Sequence, residues 1–438
     1  MRLPGLPNRI QHRPVQTVQF LGLNLTNNTK DGEFADELGL TTTNYPYLTQ
    51  IPQRSAVTGY TSPTDVYVWD GDLFVVDGTS LKKNGVSLGE VTAGVKQMAV
   101  INTKLVIFPD KKYVDLTTGT LSSLGSGIPD LDFICSCNNR IWGVSNSTKT
   151  IYASALGDPT DFTTYTTEAG AYAVAVGSEG DWTGICDYGG NVCCWKENIL
   201  HKIMGSYPSE YYMIDSNIYG VQKGSEKSLV VINDMLYYKG VFGVYVYGGN
   251  QPQLISYNLG TGTFTEAVGG TDGRKYYLNM KNSSNVYKLY AYDLVHGLWM
   301  AEENGKMDAI ANLNKTVYLL YNTGSSTSIK TIGTAVGSSQ AWHGEFVPYT
   351  EEMFYRKGYL KILLRMDMTS GSSITVKVKE DNAAQFRTAY TRSTVNKSTV
   401  MIPLRLGRCD RFTLRLEGTG AVTVRTLGRE HVTGSEIN

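Results

Sequence analysis

Seven short polar turns, each set between two apolar runs, constrain this chain more than any other feature of it. The first is Asp70-Gly71-Asp72, between the runs 66–69 and 73–76. The same order returns at Asn102-Thr103-Lys104, Asn138-Asn139-Arg140, Gly189-Gly190-Asn191, Asn233-Asp234, Asp272-Gly273-Arg274 and Leu313-Asn314-Lys315. Asp-Gly and Asn-Asp pairs supply the positive φ that a tight hairpin needs. The turns recur at intervals of about 32 to 51 residues, the length of a propeller blade of four antiparallel strands. Third and fourth strands are legible in the first repeat as 80–83 and 86–91 around Asn84-Gly85, and again at 286–292 and 297–300. No useful stretch repeats with a helical period. The Gly-His pairs of WD40 repeats are absent, and Trp-Asp occurs once, at Trp69-Asp70, not as a repeat. The spacing therefore predicts a degenerate β-propeller over 57–346, with about seven blades, or six if two turns share one. A β-sandwich is the rival, since it too gives regular short strands.

Composition points the same way. Charged residues are 18% of the chain, against about 25% in a typical domain, while Gly numbers 46 and Tyr 29. That is the balance of a turn-rich all-β protein, and 41% hydrophobic residues suffice for a core. The formal net charge is zero, which argues against binding nucleic acid along the whole chain. No apolar run reaches 18 residues, and the start, MRLPGLPNRI, shows no secretory leader, so no membrane span is expected.

The pattern changes near 346–359. Beyond it Ile374, Val376 and Val378 alternate with Thr375, Lys377 and Lys379, and Phe412, Leu414 and Leu416 with Thr413 and Arg415. Half-buried strands in so short a segment predict a small antiparallel β-sandwich at 347–438. Residues 356–430 hold fifteen Lys/Arg and six Asp/Glu, an excess of +9 that the rest of the chain must offset. Residues 1–56 do not repeat. One strand is expected at 17–25, and the segment reads as an arm that closes the propeller ring or reaches a neighbouring subunit.

Candidate chemistry is sparse. His12, His201, His296, His343 and His431 show no metal-ligand spacing, and Cys135, Cys137, Cys193 and Cys194 read as buried free thiols. The one Gly-x-Ser-x-Gly string, Gly85-Val86-Ser87-Leu88-Gly89, falls in a hairpin of the first repeat and not at a strand-to-helix elbow, and there is no phosphate loop; Gly260-Thr261-Gly262 reads as a turn. Asp70 with Asp72, and Glu351 with Glu352, read as solvated turn carboxylates. No catalytic residue, cofactor or metal is expected. Contact residues are: Arg405, Arg408, Arg411 and Arg415 belong to the basic sheet face, and Tyr207, Tyr211 and Tyr212 to an aromatic loop within a tyrosine-rich stretch.

The two ends carry a resemblance. The run Asn27-Asn28-Thr29-Lys30-Asp31-Gly32-Glu33-Phe34-Ala35-Asp36, followed by Leu38 and by Tyr45-Pro46-Tyr47-Leu48, resembles virion structural proteins of tailed bacteriophages. So does the stretch from Ile402-Pro403-Leu404-Arg405 through Arg408-Cys409-Asp410 and Phe412 to Glu417-Gly418-Thr419-Gly420, leading to Arg429-Glu430 and Gly434-Ser435-Glu436. The propeller is alike in architecture alone, similar to the tail nozzle, or tail-stabilisation, proteins of short-tailed phages, most of which are larger. The resemblance implies a sandwich following a propeller and a ring of copies, usually six, around a channel that DNA traverses without specific binding. It further implies attachment to portal or adaptor subunits of the virion tail, assembled in the bacterial cytoplasm, and it carries no active-site residues. The alternatives are a propeller that reads a host receptor or glycan at the tail tip, and a propeller glycoside hydrolase.

Overall fold

The computed structural model describes residues 11–351, 356–404 and 406–433. Its architecture is all-β, a seven-bladed propeller joined to a two-sheet sandwich. Among the described residues the only helical elements are the 3₁₀ turns Glu226–Ser228 and Tyr257–Leu259.

Each of the seven turns joins the first two strands of one blade. The first strands are Pro63–Trp69, Gln97–Ile101, Phe133–Cys137, Gly184–Tyr188, Val230–Ile232, Thr265–Thr271 and Lys306–Leu313. Each opens a four-stranded antiparallel sheet, and residues from all seven line one central cavity. Left-handed φ values occur where the hairpins demand them: 46° at Asp70, 49° and 56° at Asn138 and Asn139, 49° and 61° at Asn233 and Asp234.

A blade is buried on both faces, which explains why its second strand reads as an unbroken apolar run. In the first blade Phe74, Val76 and Leu81 pack against Leu105, Ile107 and Val114 of the second. Val66, Leu73 and Val75 on the opposite face pack against Ala309, Leu320 and Ile329 of the seventh. The strand Arg54–Ala56 pairs antiparallel with Thr327–Ile332 and supplies the fourth strand of that seventh blade. The ring is thus closed by a strand that precedes all the others in sequence.

The sandwich gathers strands from both ends of the chain. One sheet runs Gln11–Thr17, Val422–Thr433, Gly358–Met368, Thr399–Pro403; the other runs Phe34–Leu38, Ala341–Phe346, Phe412–Thr419, Ser373–Glu380, Arg387–Arg392. Ile374, Val376, Val378, Phe412, Leu414, Leu416, Val422 and Val424 all face its core, as their alternation predicts.

Two expectations about the segments between these bodies need correction, and the arm takes the ring-closing course. The strand Ala341–Phe346 pairs with Phe412–Thr419, not with a blade, because Trp342 and Phe346 belong to the sandwich core. The propeller strands therefore end at Ile332 rather than at 346. The strand expected at 17–25 is found at Gln11–Thr17 instead. Residues beyond it bridge two cores: Phe20 is buried in the sandwich and Leu23 against the sixth blade, with Gly22 between them at φ 77°. Finally, the arm is internal to the subunit over its described part. Leu23 donates its N–H to the Trp299 carbonyl (2.8 Å) and Gly39 to that of Ala301 (3.1 Å), so the arm runs along the outer strand of the sixth blade.

A buried polar cluster ties the ring-closing strand to the sixth blade, and one bond beside it reaches the sandwich strand Phe34–Leu38. Arg54 reaches Glu302 at 2.6 Å and Glu303 at 2.7 Å, and Lys275 reaches Glu302 at 3.4 Å and also bonds Thr41. Ala301 donates its N–H to one Glu37 oxygen at 2.6 Å, while the other oxygen has no partner. Burial pushes the Glu37 carboxyl well above the usual carboxylate range.

Candidate interaction surfaces and a serine–histidine–aspartate array

The basic face is less basic in three dimensions than in sequence. The strands 11–38 and 341–351 bring two basic and six acidic residues into the sandwich, so the excess of +9 falls to +5. Arg415 lies among three carboxylates, 3.1 Å from Glu417, 3.4 Å from Glu345 and 3.8 Å from Asp36. Arg429 is buried and bound to Glu351 at 2.6 Å and Asp31 at 3.1 Å. Arg411 sits elsewhere, donating to the Asn382 side chain at 2.5 Å, and the Arg408 guanidinium lies near the Arg356 carbonyl at one end of the sandwich. Arg405 lies outside the described residues. Of the three described arginines, Arg415 stands apart among its carboxylates, while Arg411 bonds the Asp381 turn and Arg408 lies near the Arg356 carbonyl.

The tyrosine loop divides as well. Tyr211 is packed edge-on against Trp142 (5.2 Å between centroids) and Tyr172 (5.0 Å), filling the core shared by the third and fourth blades. Tyr207 and Tyr212 are 50% and 56% exposed and remain available for contact. A stronger aromatic surface lies on the fifth blade. Phe242, 70% exposed at a hairpin tip, and Tyr257 border a cavity of about 500 Å³ with Leu25, Asn27, Leu254 and Ser256. Sequence reading missed it because the arm and the blade contribute residues more than 200 positions apart.

The propeller axis is occupied by charge. The Lys227 ammonium lies 2.7 Å from the buried Asp65 carboxylate, and Lys96 donates its N–H to the same carboxylate at 2.7 Å. Lys227 follows the fourth blade and Asp65 lies in the first, so the pair bridges the ring across a cavity of about 390 Å³.

Three polar residues meet at the edge of the fourth blade. His201 on Leu200–Met204 stands directly opposite Asp215 on Tyr212–Ser216, with Nδ1 2.6 Å from Oδ1. Its Nε2 lies 2.8 Å from the Oγ of Ser178, in the loop that enters the blade. The imidazole is wholly buried and meets the Trp182 edge at 5.4 Å. Lys196 donates to the Ser178 carbonyl at 2.6 Å and lies over Trp182; burial holds its ammonium below the ordinary lysine range. No local motif marks this array, because the residues are 23 and 14 positions apart and meet only through strand register.

The thiols are packed as apolar groups. Cys137 and Cys194 belong to the core between the third and fourth blades, while Cys193, adjacent in sequence, faces the next core. Burial pushes Cys137 up to about 12. Among the described residues all six cysteines are free, and no group of three or more His, Cys, Asp or Glu is placed to hold a metal. Nor is any helix there long and apolar enough to cross a membrane.

No protein-family model matches this sequence, and no curated protein matches it either. Solved structures similar to it are propellers. The RRP9 WD40 repeats are 11% identical, with a TM-score of 0.44, over 65% of this chain and 99% of that one. The C-terminal WD40 domain of Sif2 is 10% identical, with a TM-score of 0.40, over 75% of this chain and 100% of that one. PorZ of Porphyromonas gingivalis is 12% identical, with a TM-score of 0.41, over 70% of this chain and 44% of that one.

Proposed function

We propose that this chain is a structural component of a bacteriophage tail, its copies forming a ring, six in number, around the DNA-ejection passage and bound to portal or adaptor subunits. One observation supports this reading above the others: the two segments that resemble virion proteins, nearly 400 residues apart, fold against each other. Leu48 and Val424 bond each other's backbones, Gln50 bonds Val422 in both directions, and Arg429 binds Asp31. The Ala301–Glu37 bond and the passage of the arm from Phe20 in the sandwich core to Leu23 on the sixth blade couple propeller to sandwich, which suits a passive conduit. The Asp65–Lys227 bridge crosses the central cavity of the propeller, so in this proposal the DNA path is the lumen enclosed by the ring.

Subunit contacts fall to the exposed sandwich surface around Arg408 and Arg411 and to the Tyr207 and Tyr212 loop. Association resting on such surface charges weakens as salt rises from about 50 to 500 mM, where the screening length falls from over 10 Å to a few Å. Arg408→Glu with Arg411→Glu is the variant to use. Arg415→Glu is unsuitable, because it would set a fourth carboxylate beside Asp36, Glu345 and Glu417.

Mass spectrometry and antibody labelling of purified virions from the phage that encodes the chain test the proposal. The expected result is a fixed copy number confined to the tail, with portal and other tail genes beside its reading frame. Absence from the particles would end it.

The fifth-blade aromatic cavity favours a second reading, a receptor- or glycan-binding propeller at the tail tip, since exposed aromatic rings stack on sugars. Host-cell binding lost on Phe242→Ala and Tyr257→Ala would support that reading; binding unchanged by both would remove it.

A further inference from the structure

The array at the edge of the fourth blade has the connectivity of an activated nucleophile. The Asp215 carboxylate accepts from Nδ1–H of His201, which leaves the lone pair of Nε2 facing the Ser178 hydroxyl at 2.8 Å. That polarity allows the hydroxyl to donate to the imidazole, as removal of its proton requires. The ring cannot turn away, because Trp182 packs against it and the strand register holds Asp215 opposite. Ser178 itself lies on a half-exposed loop. The residues that follow it, Glu179 and Gly180, line a separate polar cavity with Asp181, Lys196 and Glu197, and Ser178 itself is not part of that lining. Lys196, anchored on the serine's own carbonyl, brings positive charge to the same place.

We propose that Ser178 is a base-activated nucleophile that takes the acyl group of small carboxylic esters, with His201 as general base and Asp215 as the positioning residue. Ser178 is only partly exposed, which favours a small acyl group. In the first step Oγ bonds to the ester carbonyl carbon while its proton passes to Nε2. Negative charge on the carbonyl oxygen develops near the Lys196 ammonium. The bond to the alcohol oxygen then breaks, and the departing alkoxide takes the proton from the imidazolium. Water attacks the acyl-serine in the same way, giving its proton to Nε2, which returns it to Oγ as the carboxylic acid leaves. Atoms and electrons balance without any further reactant. This inference does not rest on the tail proposal, and a reactive serine is compatible with either reading above.

The test is labelling of the full folded chain with an alkyl fluorophosphonate, whose phosphorus Oγ attacks with loss of fluoride, followed by peptide mapping. The expected result is one adduct on the peptide containing Ser178, absent after heat unfolding and absent in Ser178→Ala. Asp215→Asn, a change at an exposed position, should slow labelling about 100-fold with the fold intact by circular dichroism, within the range a general base contributes. Hydrolysis of p-nitrophenyl acetate should fall with labelling in both variants. A purely structural array would give no adduct at Ser178, or labelling at the same rate in Asp215→Asn and in unfolded chain. Either outcome overturns the proposal.

Discussion

The propeller and the sandwich are built from the same kind of strand, yet they are assembled by opposite rules. Six of the seven blades are contiguous meanders, in which each strand pairs with the next across a short turn. In the sandwich, by contrast, Gln11–Thr17 pairs with Val422–Thr433 and Phe34–Leu38 with Ala341–Phe346. The first body rests on many independent local decisions; the second depends on two chain ends finding each other. The seventh blade and the ionic cluster stand between these cases, each made from one arm residue set and one propeller set. Damage should therefore stay local in the blades and spread in the sandwich.

The harshest way to break this comparison is to start the chain at Leu40. The closing strand Arg54–Ala56 survives that cut, whereas each sandwich sheet loses an edge strand and the core loses Phe20 and Phe34. Limited proteolysis with mass mapping should then degrade 341–433 while 54–332 resists. Protection of both regions would show that the sandwich does not need the arm.

Next in size is Glu302→Ala in the ionic cluster. It leaves Arg54 and Lys275 buried without their shared carboxylate, a loss of about 3–5 kcal/mol in urea unfolding.

A pair of identical substitutions sharpens the contrast further. Gly71 and Gly22 both hold positive φ, but a Cβ on Gly71 meets nothing within 4 Å, while one on Gly22 would lie 2.5 Å from the Trp299 carbonyl oxygen. Gly71→Ala should cost about 1 kcal/mol, the conformational penalty alone. Gly22→Ala should cost more, by about 2 kcal/mol, since the arm must leave the sixth blade to make room. Equal effects would mean that the arm is not held as closely as its hydrogen bonds indicate.

The subtlest change is Glu37→Gln. A carboxyl whose folded-state affinity for protons is raised stabilises the fold at low pH, and that stability is lost as pH climbs from about 4.5 through the raised folded value. The amide can still accept from the Ala301 N–H and carries no charge. The variant should thus be more stable than the parent at pH 8 and lose that advantage near pH 4, as measured by melting temperature. An advantage independent of pH would point away from the buried charge.

The same division decides what could be read from the sequence. The hairpin turns are local, so Asp70-Gly71, Asn138-Asn139 and Asn233-Asp234 announced themselves, and with them the blade count. The core-facing alternation of Ile374, Val376 and Val378 was equally plain. The strand partners in the sandwich were not, because nothing in 341–346 distinguishes a blade strand from a sandwich strand until Trp342 and Phe346 meet their core. Arg415 stands apart from the other described contact arginines for a related reason: carboxylates beside it come from Asp36 and Glu345, which lie in segments assigned elsewhere. Ser178, His201 and Asp215 illustrate the limit most clearly. Each is unremarkable in sequence, and their meeting depends on register between two strands and on the path of a loop.

The division of the sandwich between the chain ends has a consequence at the ribosome. The first blade is complete by Glu90, and each later blade can close soon after its own residues emerge. The strand Phe34–Leu38 is made before all of them, but strands of its own sheet appear only from Ala341 onward, and Val422–Thr433, the partner of Gln11–Thr17, comes last. At roughly 5–20 residues per second, the separation of nearly 400 residues amounts to a wait of about 20–80 s. Throughout that interval Phe20 and Phe34 travel without the core that will bury them, on a chain whose middle is already folded. Synthesis therefore yields a finished propeller trailing an open, adhesive segment, which is covered only when the late strands snap shut over the earliest ones.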